Sequence, residues 1–157
     1  LCRLRELNPA IHIVLTVSPV RYFAFGHFEN SVSKGQLFVA INELLDLRNN
    51  FFYFPAYELV IDDLRDYRFF AEDMLHPNYQ ATDYVWEKLC ESIIAPQTQE
   101  VMREVDEILL AAKHKPRNPN SEAHKKFVRK NLSKIKQLES EWGLSFADEQ
   151  RQLSLYL

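Results

Sequence analysis

Glycine is scarce in this sequence: only three occur among 157 residues, at positions 26, 35 and 143. A phosphate-cradling loop needs several glycines within a few residues, because its backbone N–H groups must approach the ligand closely. The sequence therefore excludes a nucleotide site of the G-x-G-x-x-G or P-loop type.

Cysteine and long apolar runs are scarce as well. Cys2 and Cys90 are the only cysteines, too few for a disulfide framework or a cysteine-type zinc site. This favours a reducing, cytoplasmic setting. No apolar stretch approaches the roughly 18 residues that a membrane span requires. The sequence opens without an initiator Met or a signal-peptide pattern, which is typical of a piece of a longer protein.

Apolar residues are plentiful enough for a folded domain. They make up 46% of the chain and aromatic residues 13%, a composition that argues against disorder. The net charge of −3 indicates no partner, but the charges are unevenly distributed: residues 43–107 carry 15 acidic and 5 basic side chains, whereas residues 113–142 carry 9 basic and 3 acidic ones. The second segment is therefore a basic stretch next to an acidic body.

Two apolar segments predict parallel strands. Residues 11–17 form a β-branched run typical of a strand buried on both faces. Residues 51–57 predict a second strand that ends or becomes irregular at Pro55. Sites in open α/β sheets form where strands end, so Ser18 and Arg21, which follow the first strand, are expected near a site.

Helices are predicted around and after these strands. An aromatic-rich loop at 22–32 precedes a helix that starts at a Ser33–Gln36 capping box and extends to about residue 47. Apolar spacing predicts further helices at 78–93 and 97–113. A Ser121 cap and Gly143 delimit a basic helix at 121–142.

The sequence D-x-x-H-P at Asp73, His76 and Pro77 is the strongest chemical signal. Histidine has an unperturbed pKa close to physiological pH, which suits it to general acid–base work. A neighbouring carboxylate can hold its tautomer and stabilise the imidazolium. The same spacing also fits a simple turn, in which Asp73 caps the backbone and His76 lies on the surface.

The residues around this pattern carry a family resemblance. LTVSPVR at 15–21, YFPAYELVID at 53–62 and LRDYRFFAEDMLHPN at 64–78 together resemble the GSCFA domain family. That family is similar to the SGNH/GDSL hydrolases, α/β/α enzymes with a Ser-His-Asp triad. The resemblance covers residues 1–95 well and the remainder loosely.

The resemblance implies a partial three-layer α/β/α fold with parallel strands, followed by C-terminal helices. It implies that residues 1–95 are the C-terminal half of the hydrolase-like domain, and that residues 96–157 are a helical extension packing on it. It places the triad carboxylate on Asp73 and the base on His76. The G-S-C-F-A stretch that would carry the nucleophilic serine is absent from this sequence.

The implied activity is ester hydrolysis or acyl transfer, for which an acylated carbohydrate is one candidate substrate and no cofactor is needed. Ser18, Arg21 and Tyr57 are the candidate substrate contacts. Ser18 is disfavoured as a nucleophile, because it lacks the glycines of a nucleophile elbow and Pro19 has no N–H for an oxyanion hole. This chain alone is therefore predicted to be inactive.

Two other functions remain open at this stage. The basic helix 121–142 could dock a partner, although its cations are spread around the helix and no interleaved aromatics favour nucleic acid. A metal-dependent hydrolase would use Asp73, His76 and a further ligand, but no H-E-x-x-H-like run is present, and no metal site is predicted. An unpaired edge on the strand at 11–17 would also favour self-association.

Overall fold

Short strands and helices alternate in the first part of the chain, and helices alone follow. The computed structural model describes residues 2–47 and 50–155. In chain order the elements are α1 (Cys2–Leu7), β1 (Ile13–Leu15), α2 (His27–Leu47), β2 (Phe51–Tyr53), α3 (Ala56–Glu58), a π-helix (Leu59–Leu64), a 3₁₀-helix (Tyr67–Phe69), α4 (Tyr79–Ile93), α5 (Pro96–Lys113), α6 (Glu122–Trp142) and α7 (Ala147–Ser154). This confirms a partial α/β fold with parallel strands followed by C-terminal helices.

The chain forms two compact units that meet in sequence between Ile93 and Ile94. The assignment of the first unit to half of a larger domain, and of the second to an extension packing on it, stays a prediction. None of the described helices is both long and apolar enough to cross a membrane. The cytoplasmic location stays a prediction too.

The first unit is built on a β1–α2–β2 crossover. The two strands pair in parallel, and parallel neighbours require such a long connection, usually a helix. The register pairs Ile13 with Phe51, Val14 with Phe52 and Leu15 with Tyr53. The carboxyl ends of both strands therefore lie at one edge of the sheet, where the segments containing Ser18 and Tyr57 begin.

The expectation that the first strand is buried on both faces is wrong. Its regular part is only β1, and Val14 in its centre stays 44% exposed, as does Phe52 beside it at 47%. In the described part of the chain these two side chains share a face that no helix covers fully. Self-association through the edge of this strand stays a prediction.

The predicted loop at 22–32 is wrong from His27 onward, because α2 begins there rather than at Ser33. Gly26 has φ +101°, a left-handed conformation that glycine adopts readily, and it ends the preceding segment. Its carbonyl already accepts the N–H of Asn30 at 3.2 Å, so the helical turn has formed six residues before the predicted capping box.

Pro55 ends the second strand as the sequence indicates, and helical turns follow it. A core packs these turns against the sheet and α4; its buried members are Val17, Phe51, Phe54, Ala56, Val60, Phe70 and Ala81. Residues 59–64 form a π-helix. It ends at Arg65, whose φ of 54° is left-handed and whose N–H donates to the Val60 carbonyl at 3.3 Å.

The second unit is an all-helical arrangement with its own core. Its members on α5, α6, α7 and the preceding loop are Ile108, Val128, Ile135, Leu138, Phe146 and Leu153. Ser121 caps α6 by accepting the His124 N–H at 3.3 Å, and Gly143 ends it in the left-handed region with φ 65°. The structure therefore confirms both predicted ends of this helix.

Candidate active site

The D-x-x-H sequence lies at the tip of a hairpin-like loop between the 3₁₀-helix and α4. Phe70 and Pro77 form an antiparallel bridge at its base. The Ala71 N–H donates to the His76 carbonyl at 2.7 Å, and the Asn78 N–H donates to the Phe69 carbonyl at 2.8 Å. These contacts join the two ends of the loop, so the backbone at the tip has a defined conformation.

Asn78 joins this loop to α4. Its side-chain oxygen accepts the Ala81 N–H at 3.2 Å, so Asn78 is the N-cap of α4. Its side-chain amide donates to the Arg68 carbonyl at 2.6 Å. The Asn78 side chain therefore caps the helix and also closes the base of the loop, so it fixes the position of the loop relative to the start of α4.

Within the tip, Asp73 and His76 contact each other directly. The distance from His76 Nδ1 to Asp73 Oδ2 is 2.6 Å. The other carboxylate oxygen accepts the N–H groups of Leu75 at 2.9 Å and of His76 at 3.0 Å. Three hydrogen bonds therefore hold the carboxylate in one orientation. The His76 ring keeps 61% of its side-chain surface exposed, which leaves it accessible to other groups.

These hydrogen bonds determine the ionisation of Asp73. The backbone N–H of His76, then the His76 side chain, and then the backbone N–H of Leu75 lower its pKa from 3.8 to about 2. The carboxylate is therefore charged at neutral pH and can only accept hydrogen bonds. Nδ1 of a neutral His76 must then be the donor, so its Nε2 is the nitrogen with a free electron pair.

An acid titration tests this geometry. The pKa of Asp73 is lower in the folded protein than its ordinary value of 3.8, so the hydrogen bonds to its carboxylate stabilise the folded state fully above pH 3.8. This stabilisation is lost as the pH falls through about 2 and the carboxylate is protonated. Carboxyl ¹³C NMR should place the Asp73 midpoint near 2, with Asp73→Asn assigning the signal. His76→Ala should raise this pKa only part of the way, because the backbone N–H groups remain. A wild-type midpoint near 3.8 would contradict the structure.

Arg21 approaches the same tip from the segment after β1. Its N–H donates to the Leu75 carbonyl at 3.2 Å, and its guanidinium Nη1 donates to the Met74 carbonyl at 3.4 Å. The guanidinium carbon lies 4.3 Å from the ring centre of Phe70 and 5.1 Å from that of Tyr67. The structure therefore brings Arg21, expected near the site, onto the backbone that carries Asp73 and His76.

Ser18 and Tyr57 lie at the carboxyl edge of the sheet, near Lys34 of α2. The Ser18 hydroxyl accepts the Val20 N–H at 3.2 Å, and its carbonyl accepts Lys34 Nζ at 2.6 Å. Lys34 Nζ also lies 6.0 Å from the Tyr57 ring centre, and burial lowers the Lys34 pKa. Lys34 therefore joins α2 to the segment after β1, and in the part of the chain that the structure describes none of these three side chains contacts Asp73 or His76 by a hydrogen bond.

Two features near the site carry no signal in the sequence. Lys34 reaches Ser18 only through the crossover geometry, and its spacing in α2 resembles any exposed lysine. Met74 has φ 60°, a left-handed conformation that a residue other than glycine rarely adopts. The residue at position 74 is neither a glycine nor a typical turn residue, so the sequence does not indicate this conformation.

The alternative functions gain little from the structure. The described residues contain no group of three His, Cys, Asp or Glu side chains that could hold a metal ion. The basic helix α6 buries Val128, Ile135 and Leu138. Its Lys134 is hydrogen-bonded to Glu107 at 2.7 Å, which raises the Lys134 pKa. Part of its positive charge is therefore neutralised within its own unit.

The structure thus defines an α/β chain in which a fastened loop presents a hydrogen-bonded carboxylate–imidazole pair. Residues 1–89 match the GSCFA family, and residues 105–157 match the C-terminal domain of GSCFA domain proteins. The chain belongs to the GSCFA family, as its resemblance indicated. Comparison with curated proteins and with solved structures gives no significant match.

Proposed function

We propose that this chain supplies the acid–base half of an SGNH/GDSL-like serine hydrolase, with Asp73 as the triad carboxylate and His76 as the base. The observation that carries the proposal is the 2.6 Å contact between His76 Nδ1 and Asp73 Oδ2. A surface histidine beside a turn needs no such contact, whereas a catalytic base needs its tautomer fixed. The nucleophilic serine is proposed to come from residues outside this chain.

His76 would work through Nε2. As the serine oxygen attacks the substrate carbonyl carbon, Nε2 takes the hydroxyl proton; it then returns the proton to the leaving alkoxide as the acyl–enzyme forms. Asp73 stays ionised, because its pKa of about 2 is far below neutral pH. It holds the ring and stabilises the imidazolium. A water, or an acceptor hydroxyl in acyl transfer, then attacks the acyl–enzyme by the same proton route.

The proposed substrate is an ester, and an acylated carbohydrate is one candidate. Ser18 and Tyr57 are proposed to line its binding site, because both lie at the carboxyl edge of the parallel strands, where α/β enzymes place their sites. Lys34 adds a partly buried ammonium at this edge, 2.6 Å from the Ser18 carbonyl. No cofactor is required by this chemistry.

A fluorophosphonate probe tests the proposal directly, because it phosphonylates only a serine that a base has activated. The full-length protein should be labelled, and peptide mass spectrometry should place the label on a serine outside the 157 residues. His76→Ala should remove the labelling, and His12→Ala, a histidine at the opposite end of β1, should not. Residues 1–157 alone should not react. Label on Ser18 would place the nucleophile within this chain and contradict the proposal.

A further inference from the structure

We infer that Arg21 is a positioning residue, which holds the Asp73–His76 loop in its working geometry through the backbone of Met74 and Leu75. The inference rests on the proposed function for its catalytic consequence. The claim that Arg21 restrains the loop is independent of the proposed function, because its contacts to the loop are present whatever reaction the protein catalyses. It assigns Arg21 a role different from the substrate contact expected from the sequence.

The loop contains a backbone conformation that needs support. Met74 is left-handed, with φ 60°. For a residue with a side chain this conformation is strained, and such residues persist where the surrounding contacts hold them in place. Met74 lies between Asp73 and the two N–H groups that its carboxylate accepts. Relaxation of Met74 to φ below zero would therefore turn the N–H groups of Leu75 and His76 away from Asp73.

Arg21 contacts the two peptide units that follow this strained position. The Met74 carbonyl accepts its guanidinium at 3.4 Å, and the Leu75 carbonyl accepts its backbone N–H at 3.2 Å. Asp73 fixes the N–H side of the tip, and Arg21 fixes the carbonyl side. Together these contacts leave the tip a single backbone arrangement.

The Arg21 side chain is itself held in place. Its guanidinium lies over the rings of Phe70 and Tyr67, at 4.3 and 5.1 Å, a stacking that a planar guanidinium makes better than an ammonium. Phe70 is 8% exposed and forms the base of the loop. The two rings therefore hold the guanidinium in position to contact the Met74 carbonyl. This stacking explains why arginine fits this position better than lysine.

The test compares Arg21→Ala and Arg21→Lys in the full-length protein, with Arg68→Ala as the matched control. Arg68 stacks on Phe69 at 5.0 Å and pairs with Asp66 at 3.6 Å, so the control removes a similar arginine near the loop that does not contact its tip. Two quantities are measured in each variant: the Asp73 pKa by carboxyl ¹³C NMR, and kcat and KM on one ester. Arg21→Lys keeps the charge and loses the planar group.

Arg21→Ala should raise the Asp73 pKa from about 2 towards 3.8, because the hydrogen bonds from His76 and Leu75 that lower it would loosen. It should lower kcat by about 10²-fold, the order expected for a small misplacement of a catalytic group, with little change in KM. Arg21→Lys should fall between wild type and Arg21→Ala. Arg68→Ala should match wild type in both measurements.

Met74→Gly provides an independent variant, because glycine adopts a left-handed conformation without the penalty. If Arg21 acts by restraining Met74, Arg21→Ala should raise the Asp73 pKa less in the Met74→Gly background than in wild type. Equal effects in both backgrounds would refute this route. The comparison needs no measurement of activity.

The outcomes separate the inference from the proposed function. An unchanged Asp73 pKa with a raised KM would make Arg21 a substrate contact, and an unchanged pKa with unchanged kinetics would leave it no role; either overturns the inference. If His76→Ala keeps full activity, the proposed function fails, and the NMR comparison alone then decides whether Arg21 holds the loop.

Discussion

Replacing His76 by Ala should lower kcat/KM of the full-length protein on an ester by about 10⁴- to 10⁶-fold, the loss found when triad members are removed elsewhere. The physical reason is that no other group is then placed to take the serine proton. The folded state should persist, because the ring is 61% exposed and contributes little packing. Circular dichroism checks folding, and His12→Ala controls for removal of a histidine from the same unit.

Asp73→Asn should also lower activity strongly, because an amide can donate to Nδ1 and so favour the wrong tautomer. The double variant should be hardly worse than His76→Ala, since residues that act as one unit are not additive. Kinetics of the four proteins on a single substrate decide the matter. If folded His76→Ala retains near-wild-type activity, Asp73 and His76 are a capped turn and nothing more.

The second large effect concerns the core of the C-terminal unit. Ile108→Ala should destabilise that unit by about 2–5 kcal/mol, through lost transfer free energy and the cavity left behind. Ile108 is fully buried, in a cluster that includes Ile135 and Leu138. Ile108→Val should cost only about 0.5–1.5 kcal/mol, because a single methyl group is removed.

The tryptophans make this measurable unit by unit. Trp86 lies in the first unit and Trp142 in the second, so Trp142 fluorescence in a Trp86→Phe background follows urea unfolding of the C-terminal unit alone. Leu110→Ala is the matched control, because Leu110 is on the same helix and 70% exposed; it should change stability by less than about 0.5 kcal/mol. Equal losses of unfolding free energy in Ile108→Ala and Leu110→Ala would contradict the described core.

The parts of the fold that the sequence predicts well are those with local chemical signals. Asn78 and Ser121 have side chains that can cap a helix, and Gly143 can adopt a left-handed conformation, so the ends of α4 and α6 were correctly placed. The contact between Asp73 and His76 was predictable for the same reason, since their three-residue spacing lets one turn join them.

The parts that were missed depend on contacts distant in sequence or on weak local preference. The first turns of α2 contain Asn30 and Ser31, which are modest helix formers, so the sequence favours the capping box at Ser33, six residues after the observed start at His27. Arg21 was placed near the site, but its role was not visible, because its partners Met74 and Leu75 follow it by more than fifty residues. No spacing rule connects such positions.

This difference in sequence separation has a consequence for how the pair is assembled. The Asp73–His76 contact closes a span of three residues, and the contact from Arg21 to Met74 closes a span of 53. The entropy cost of closing a loop rises by about 0.6 kcal/mol for each doubling of the span. Forming the contact from Arg21 to Met74 therefore costs roughly 2.5 kcal/mol more chain entropy than forming the contact between Asp73 and His76. The contact between Asp73 and His76 is therefore encoded in a short peptide, whereas the restraint that Arg21 adds to its backbone forms only in the completed fold.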